Sequence, residues 1–207
     1  MADLPRIEKF LSTVEGPRQT VGYIPCNSRW KAGKTADYKG EGDPDGFEVM
    51  GASGVTIATG VDLGQTDQST LRKIGVPDGI VNQLIPYIGK KRNEAIITLH
   101  RMPLTVSPET AETLDHCVHA HHLSLISRRY DRDAGKGAFD FAPWQAQAVI
   151  YSLLYQHGTG GASKFPKTWR ALVAQDWLAA ALELLSDNWP AYLNRRHDEG
   201  ALLMEAV

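Results

Sequence analysis

Two cysteines, Cys26 and Cys117, are all the thiols in this 207-residue chain. Two so widely separated thiols make neither a disulfide framework nor a four-cysteine zinc site. Long apolar runs are lacking too, since no segment approaches the ~20 uninterrupted apolar residues that span a bilayer. The opening "MADLPRIEKFL" carries charge where a secretory signal has its apolar stretch. The expectation is a protein made in the cytoplasm without a signal peptide and without stable membrane insertion, whose targets beyond the membrane require a separate delivery route. A strong charge of either sign is also missing: 22 Lys and Arg stand against 24 Asp and Glu, net −2. That balance argues against nucleic acid as the main partner. What is present is ordinary globular material, 43% hydrophobic and 22% charged, in a length suited to one domain.

Helical periodicity opens the chain. Leu4, Ile7, Leu11 and Val14 share one face, and Gly16-Pro17 ends the run. Glu15 then falls at the last turn, where the helix macrodipole disfavours a carboxylate, an odd address for a purely structural residue. From Cys26 to Gly54 no period is sustained, which predicts a long loop with one short hairpin. Helices are expected around Ser69–Ile74, after Ser107-Pro108-Glu109, between Pro143 and Gly158, after Asp176 and from Pro190. The chain therefore reads as mainly α, of the α+β class, within a single domain over 1–207. A small N-terminal part (about 1–75) holds the first helix, the loop and a β element, and a larger helical part fills 76–207.

The β element, "GVTIATGVDLG" from Gly54 to Gly64, carries two threonines and an aspartate among its apolar residues. In an extended chain Thr56, Ala58, Gly60 and Asp62 point to one face, but Thr56 and Asp62 would lie roughly 20 Å apart at ~3.3 Å per residue. A shared task needs a bend, and Gly60 is the residue that permits one. A hydroxyl and a carboxylate aimed at one point can hold and deprotonate a water, provided an acid protonates the leaving group. Glu15 is the candidate acid, and two carboxyls in these roles are the glycosidase arrangement.

"FLSTVEG" followed by "GVTIATGVDLGQ" resembles the phage-type lysozymes, most closely their pesticin-like branch of bacteriolytic toxins and peptidoglycan hydrolases. The resemblance implies a lysozyme-like fold and a functional triad of Glu15, Thr56 and Asp62, with the Asp six residues after the Thr. It continues in "AVIYSLLYQHGTGG", similar to the buried helix and turn of the helical part, with His157 where the family commonly has an Asn-x-Gly. "YLNRRHDEGALL" is similar to the C-terminal Arg-Arg-x-x-Glu helix. The implied reaction is hydrolysis of the β-1,4 bond between N-acetylmuramic acid and N-acetylglucosamine, without a cofactor, by a phage endolysin or a secreted antibacterial effector. The implied partner is the peptidoglycan glycan strand, with a cognate immunity protein in the effector case. The implied place of action is the periplasm of a host or target bacterium, after release through holin-made holes or a secretion system.

Tyr23, Trp30 and Tyr38, beside the loop, and Gln156 and Arg195, within the two helical motifs, are the candidates for substrate contact; Arg195 and Arg196 alternatively pair with nearby acids. Asp43, Asp45 and Glu48 are further carboxylates in the loop. His116, His119, His121 and His122 share helical spacing, but no clustered cysteine or carboxylate completes a metal site, so no metal is expected. Trp144, Trp169, Trp177 and Trp189 are expected in the helical core. Two rival readings are a non-catalytic wall-binding or virion module that keeps the fold, and a hydrolase of chitin or chitosan.

Overall fold

The computed structural model describes residues 2–29, 35–187, 189 and 191–207. Its helices are α1 (Leu4–Val14), α2 (Gln68–Lys73), α3 (Asp78–Leu84), α4 (Arg92–Arg101), α5 (Pro108–Ala134), α6 (Ala138–Phe141), α7 (Trp144–His157), α8 (Pro166–Val173), α9 (Trp177–Leu184) and α10 (Leu193–Met204). Its strands are β1 (Gln19–Ser28), β2 (Thr35–Tyr38), β3 (Phe47–Val49), β4 (Thr56–Ala58) and β5 (Val61–Asp62). This is the α+β, lysozyme-like arrangement expected: a small antiparallel sheet near the N-terminus and a larger helical part.

The chain divides into two compact units, one of Pro17–Val118 and one of Met1–Gly16 with His119–Val207. The unit of residues 17–118 is built on β1, which pairs with β2 (Ile24 opposite Tyr38), with β3 (Cys26 opposite Val49) and with β4 (Tyr23 opposite Thr56). The segment 26–54 thus contains more than the single hairpin its composition predicts. β1 and β2 make that hairpin and β3 adds a further strand, of three residues and too short to show a period. Ile24, Val55, Ile57 and Leu63 of the sheet region are buried together with Leu71, Val81, Leu84 and Leu99 of α2, α3 and α4. Because these helices bury their apolar faces on the sheet, the sheet's unit extends to residue 118, well past the boundary read near residue 75.

The other unit is helical. Asp3 caps α1 by accepting from the Arg6 N–H at 3.2 Å, and Ile7 and Leu11 face the core. α7 is buried on every side from Ala146 through Leu154 and is mostly apolar over that run; a helix of that kind belongs inside a core. Trp169 is buried in this core, and Trp144, Trp177 and Trp189 pack against it. α10 starts at Leu193, later than the proline signal at Pro190 predicts. Tyr192, just before it, sits in the left-handed region at φ 60°, where an L-residue does not propagate a right-handed helix.

Candidate functional site

In the unit of residues 17–118, the bend between Thr56 and Asp62 is a β-hairpin. β4 and β5 are antiparallel, with Thr56 opposite Asp62 and Ile57 opposite Val61. The three residues between carry the reversal, with Ala58 at φ 55° and Gly60 at φ 79°. The Leu63 N–H donates to the Val55 carbonyl at 2.8 Å, one residue outside the Thr56–Asp62 pair on each strand. That bond makes Thr56 and Asp62 a non-hydrogen-bonded pair, the register at which facing side chains approach most closely. Thr56 is also the partner of Tyr23 on β1. Tyr23, Thr56 and Asp62 therefore form one cross-strand row on one face of the sheet.

Two glycines fix the carboxylate of Asp62. The backbone N–H groups of Gly54 and Gly64 both donate to its Oδ1, at 3.0 and 2.8 Å. This carboxylate also caps the short 3-10 turn Leu63–Gln65, so the residue serves as a cap whatever else it does. Burial pushes the Asp62 carboxyl above its ordinary value, opposed by the two glycine N–H groups, by Gln65 and by Lys91. Thr56 is 4% exposed, and its Oγ1 lies 3.4 Å from the Gly54 carbonyl, a weak bond at most.

Asp115 of α5 ties down the reversal itself. Its carboxylate, buried in the fold, accepts from the Thr59 N–H at 2.8 Å and the Thr59 hydroxyl at 2.7 Å. Arg18 Nε donates to the same group at 2.8 Å. No periodicity or motif in the sequence singles out Asp115 for this task.

In the helical unit, Glu15 is the residue that ends α1, with its N–H donating to the Leu11 carbonyl. Its side chain is 20% exposed, and Arg195 of α10 donates to its Oε1 through Nη1 at 2.6 Å. The remaining donors of Arg195 turn inward. Nε reaches Glu199 Oε1 at 3.3 Å, while Nη2 reaches the Ser152 hydroxyl at 2.9 Å and the Ser152 carbonyl at 3.2 Å. Arg196 Nη2 donates to Glu199 Oε1 at 2.8 Å and to Gln156 Oε1 at 2.7 Å. The Ser152 hydroxyl donates to Glu199 Oε1 at 2.5 Å. Glu199 has no exposed surface; burial raises its carboxyl above the ordinary value, and the Arg196 and Arg195 charges and the Ser152 bond oppose that rise.

Of the residues named for substrate contact, Arg195 is buried and spends its donors on Glu15, Glu199 and Ser152, so the acid-pairing alternative describes both arginines. Gln156, half-buried, holds Arg196. Tyr23 stands in the sheet row, and Trp30 lies outside the described residues. Tyr38 has no exposed surface and its hydroxyl lies 2.8 Å from His100 Nδ1, so it is a core residue rather than a sugar contact. Asp43 caps the Pro44–Gly46 turn, and Glu48 is exposed on β3. Ser152 escaped the sequence reading, whereas Glu199 is the acid of the Arg-Arg-x-x-Glu motif, three residues after Arg196 and four after Arg195, the spacing that puts all three on one helix face.

The histidines of α5 do not assemble a metal site. Among the described residues no three His, Cys, Asp or Glu side chains are placed to hold an ion. His119 Nδ1 lies 3.2 Å from Glu8, and burial, helped by His121 and His119, lowers His122 to about 4. No helix among the described residues is long and apolar enough to cross a membrane.

No curated protein matches the chain at a significant level. A family model does, over residues 7–178, and its description is "Bacterial toxin homologue of phage lysozyme, C-term". That match spans Glu15, Thr56, Asp62 and Asp115 and most of both units, and the chain belongs to this family, Pesticin.

Proposed function

We propose that the protein is a muramidase, cleaving the β-1,4 bond between N-acetylmuramic acid and N-acetylglucosamine in peptidoglycan, with Glu15 as acid and Asp62 and Thr56 holding the water. The observation that carries this reading is the register of the hairpin, which sets Thr56 directly opposite Asp62 in a chain of a lysozyme-homologous family. Arg195 occupies Oε1 of Glu15, so the proton resides on Oε2 and passes from there to the glycosidic oxygen as the bond breaks. Asp62 has Oδ1 filled by two backbone N–H groups, so Oδ2 receives the proton of the attacking water while the Thr56 hydroxyl orients it. Tyr23, in the same row, offers a ring for sugar contact. The same chemistry serves an endolysin or an antibacterial effector, and an effector's producer would carry an immunity protein against it.

The test is digestion of purified peptidoglycan by the wild type and by Glu15→Gln, with the new reducing ends identified by mass spectrometry. Muramic acid at those ends, absent with the variant, supports the reading. Intact glycan from the folded wild type would favour a wall-binding module, and cleavage of chitooligosaccharides alone would move the substrate to chitin.

A further inference from the structure

Buried in the helical unit are two guanidinium groups and one carboxylate, with a second carboxylate at the edge. Arg195 and Arg196 are adjacent in sequence and both bond to Glu199 Oε1, while Arg195 alone reaches out to Glu15. Charge balance in such a place matters, because low polarisability strengthens every interaction and the groups cannot turn to water. With Glu15 protonated for catalysis, Glu199 is the remaining carboxylate bonded to these arginines among the described residues.

We propose that Glu199 is a positioning residue for Glu15: it anchors Arg195 from behind, keeping Nη1 aimed at Glu15, and cancels one of the two guanidinium charges beside the acid. This rests on the reading of Glu15 as the acid. The anchoring is geometric, since Arg195 is held at Nε by Glu199 and at Nη2 by Ser152, leaving Nη1 aimed at Glu15. The charges that act on this group come from several elements. Arg195 and Arg196 belong to α10, Glu15 follows α1, His157 ends α7, and Lys164 and Tyr192 add their fields to His157 and Arg196. His157 is neutral at pH 7, because burial and then the Arg196, Lys164 and Arg195 charges lower it to about 4. It therefore does not take over the balancing role.

Two variants with opposite expected signs separate charge from structure. Glu199→Gln keeps the shape and removes the negative charge, and the alkaline limb of the pH–activity profile on peptidoglycan should move down by about one pH unit. Arg196→Gln removes one positive charge without touching the Arg195–Glu15 contact, and the limb should move up. The double variant should return toward the wild type. A carbon-13 NMR titration of the Glu15 carboxyl in the same four proteins reads the same shifts without activity, so it remains decisive if the wild type fails to cleave peptidoglycan. Should Glu199→Gln leave both profiles where they are, or should both single variants move them the same way, the charge-balancing role is overturned, even where Glu15→Gln abolishes activity and the muramidase reading stands.

Discussion

The backbone of Gly54 lies against that of Gly64, so closely that a Cβ on Gly54 would stand 2.6 Å from the Gly64 Cα and 2.4 Å from the Lys90 carbonyl oxygen. Both glycines donate to the one oxygen of Asp62; the Gly64 bond is a local cap, but the Gly54 donation does not survive if the two backbones are pushed apart. Gly54→Ala should therefore cost roughly 1–3 kcal/mol of stability, the usual toll of overpacking, and reduce hydrolysis by more than the lost folded fraction explains. Thermal unfolding alongside a turbidity assay on cell walls checks both. An alanine variant with wild-type stability would show that the close approach is not a real constraint.

Asp115 offers a second test of the same hairpin from the other side. Asp115→Ala leaves the Thr59 N–H and hydroxyl without their acceptor in a buried place, at a cost of about 1–3 kcal/mol for a stranded donor. Arg18 is half-exposed and can turn to water, so the loss of its ion pair adds little. Denaturant unfolding should show the destabilisation, and Thr59→Val in the Asp115→Ala background should recover part of it by removing the stranded hydroxyl. No recovery would place the cost elsewhere.

Much of this architecture was legible because it rests on local signals. The period of Leu4, Ile7 and Leu11, the cap at Asp176 and the glycine after His157 are decided within a few residues of each element. Given a shared task for Thr56 and Asp62, strand geometry requires a bend between them, and a hairpin is what stands there. What was not legible depends on distant partners. β3 is three residues long and exists through its pairing with β1, and α2 to α4 join the sheet because of a shared core that no local pattern announces. Asp115 lies 56 residues from Thr59, and Arg195 takes its partner Glu15 from 180 residues away.

Arg195 uses a planar fork to serve Glu15, Glu199 and Ser152 at once. A lysine keeps the charge but has one nitrogen, and cannot hold three partners in these directions. Arg195→Lys should therefore lower kcat on peptidoglycan by tenfold or more with little change in KM, since the arginine's bonds all run to groups of the protein itself. A rise in KM with kcat intact would instead mean that the side chain reaches the glycan.

Stability should fall on mild acidification, for reasons that lie in two histidines. His122 and His157 are both lowered to about 4, chiefly by burial, with neighbouring histidines adding to the effect at His122 and Arg196, Lys164 and Arg195 at His157. In the unfolded chain each titrates near 6.5, so between pH 6.5 and 4 the unfolded state binds more protons than the folded one. Unfolding free energy then rises with pH across that window, being lost as pH falls from 6.5 towards 4 and flat above it as far as these groups are concerned. Burial pulls Asp62 the other way: its raised carboxyl means that the folded state holds its proton more tightly, a contribution present below the ordinary Asp value of 3.8 and lost as pH rises through the folded value. Glu199, whose carboxyl burial also raises, acts in the same sense as Asp62, so the histidine contribution is read from the difference between the wild type and a variant lacking one histidine. Denaturant unfolding at pH 7, 6 and 5 should show a steady decline in the wild type and a shallower one in His122→Gln, and equal slopes for the two proteins would remove His122 from the account.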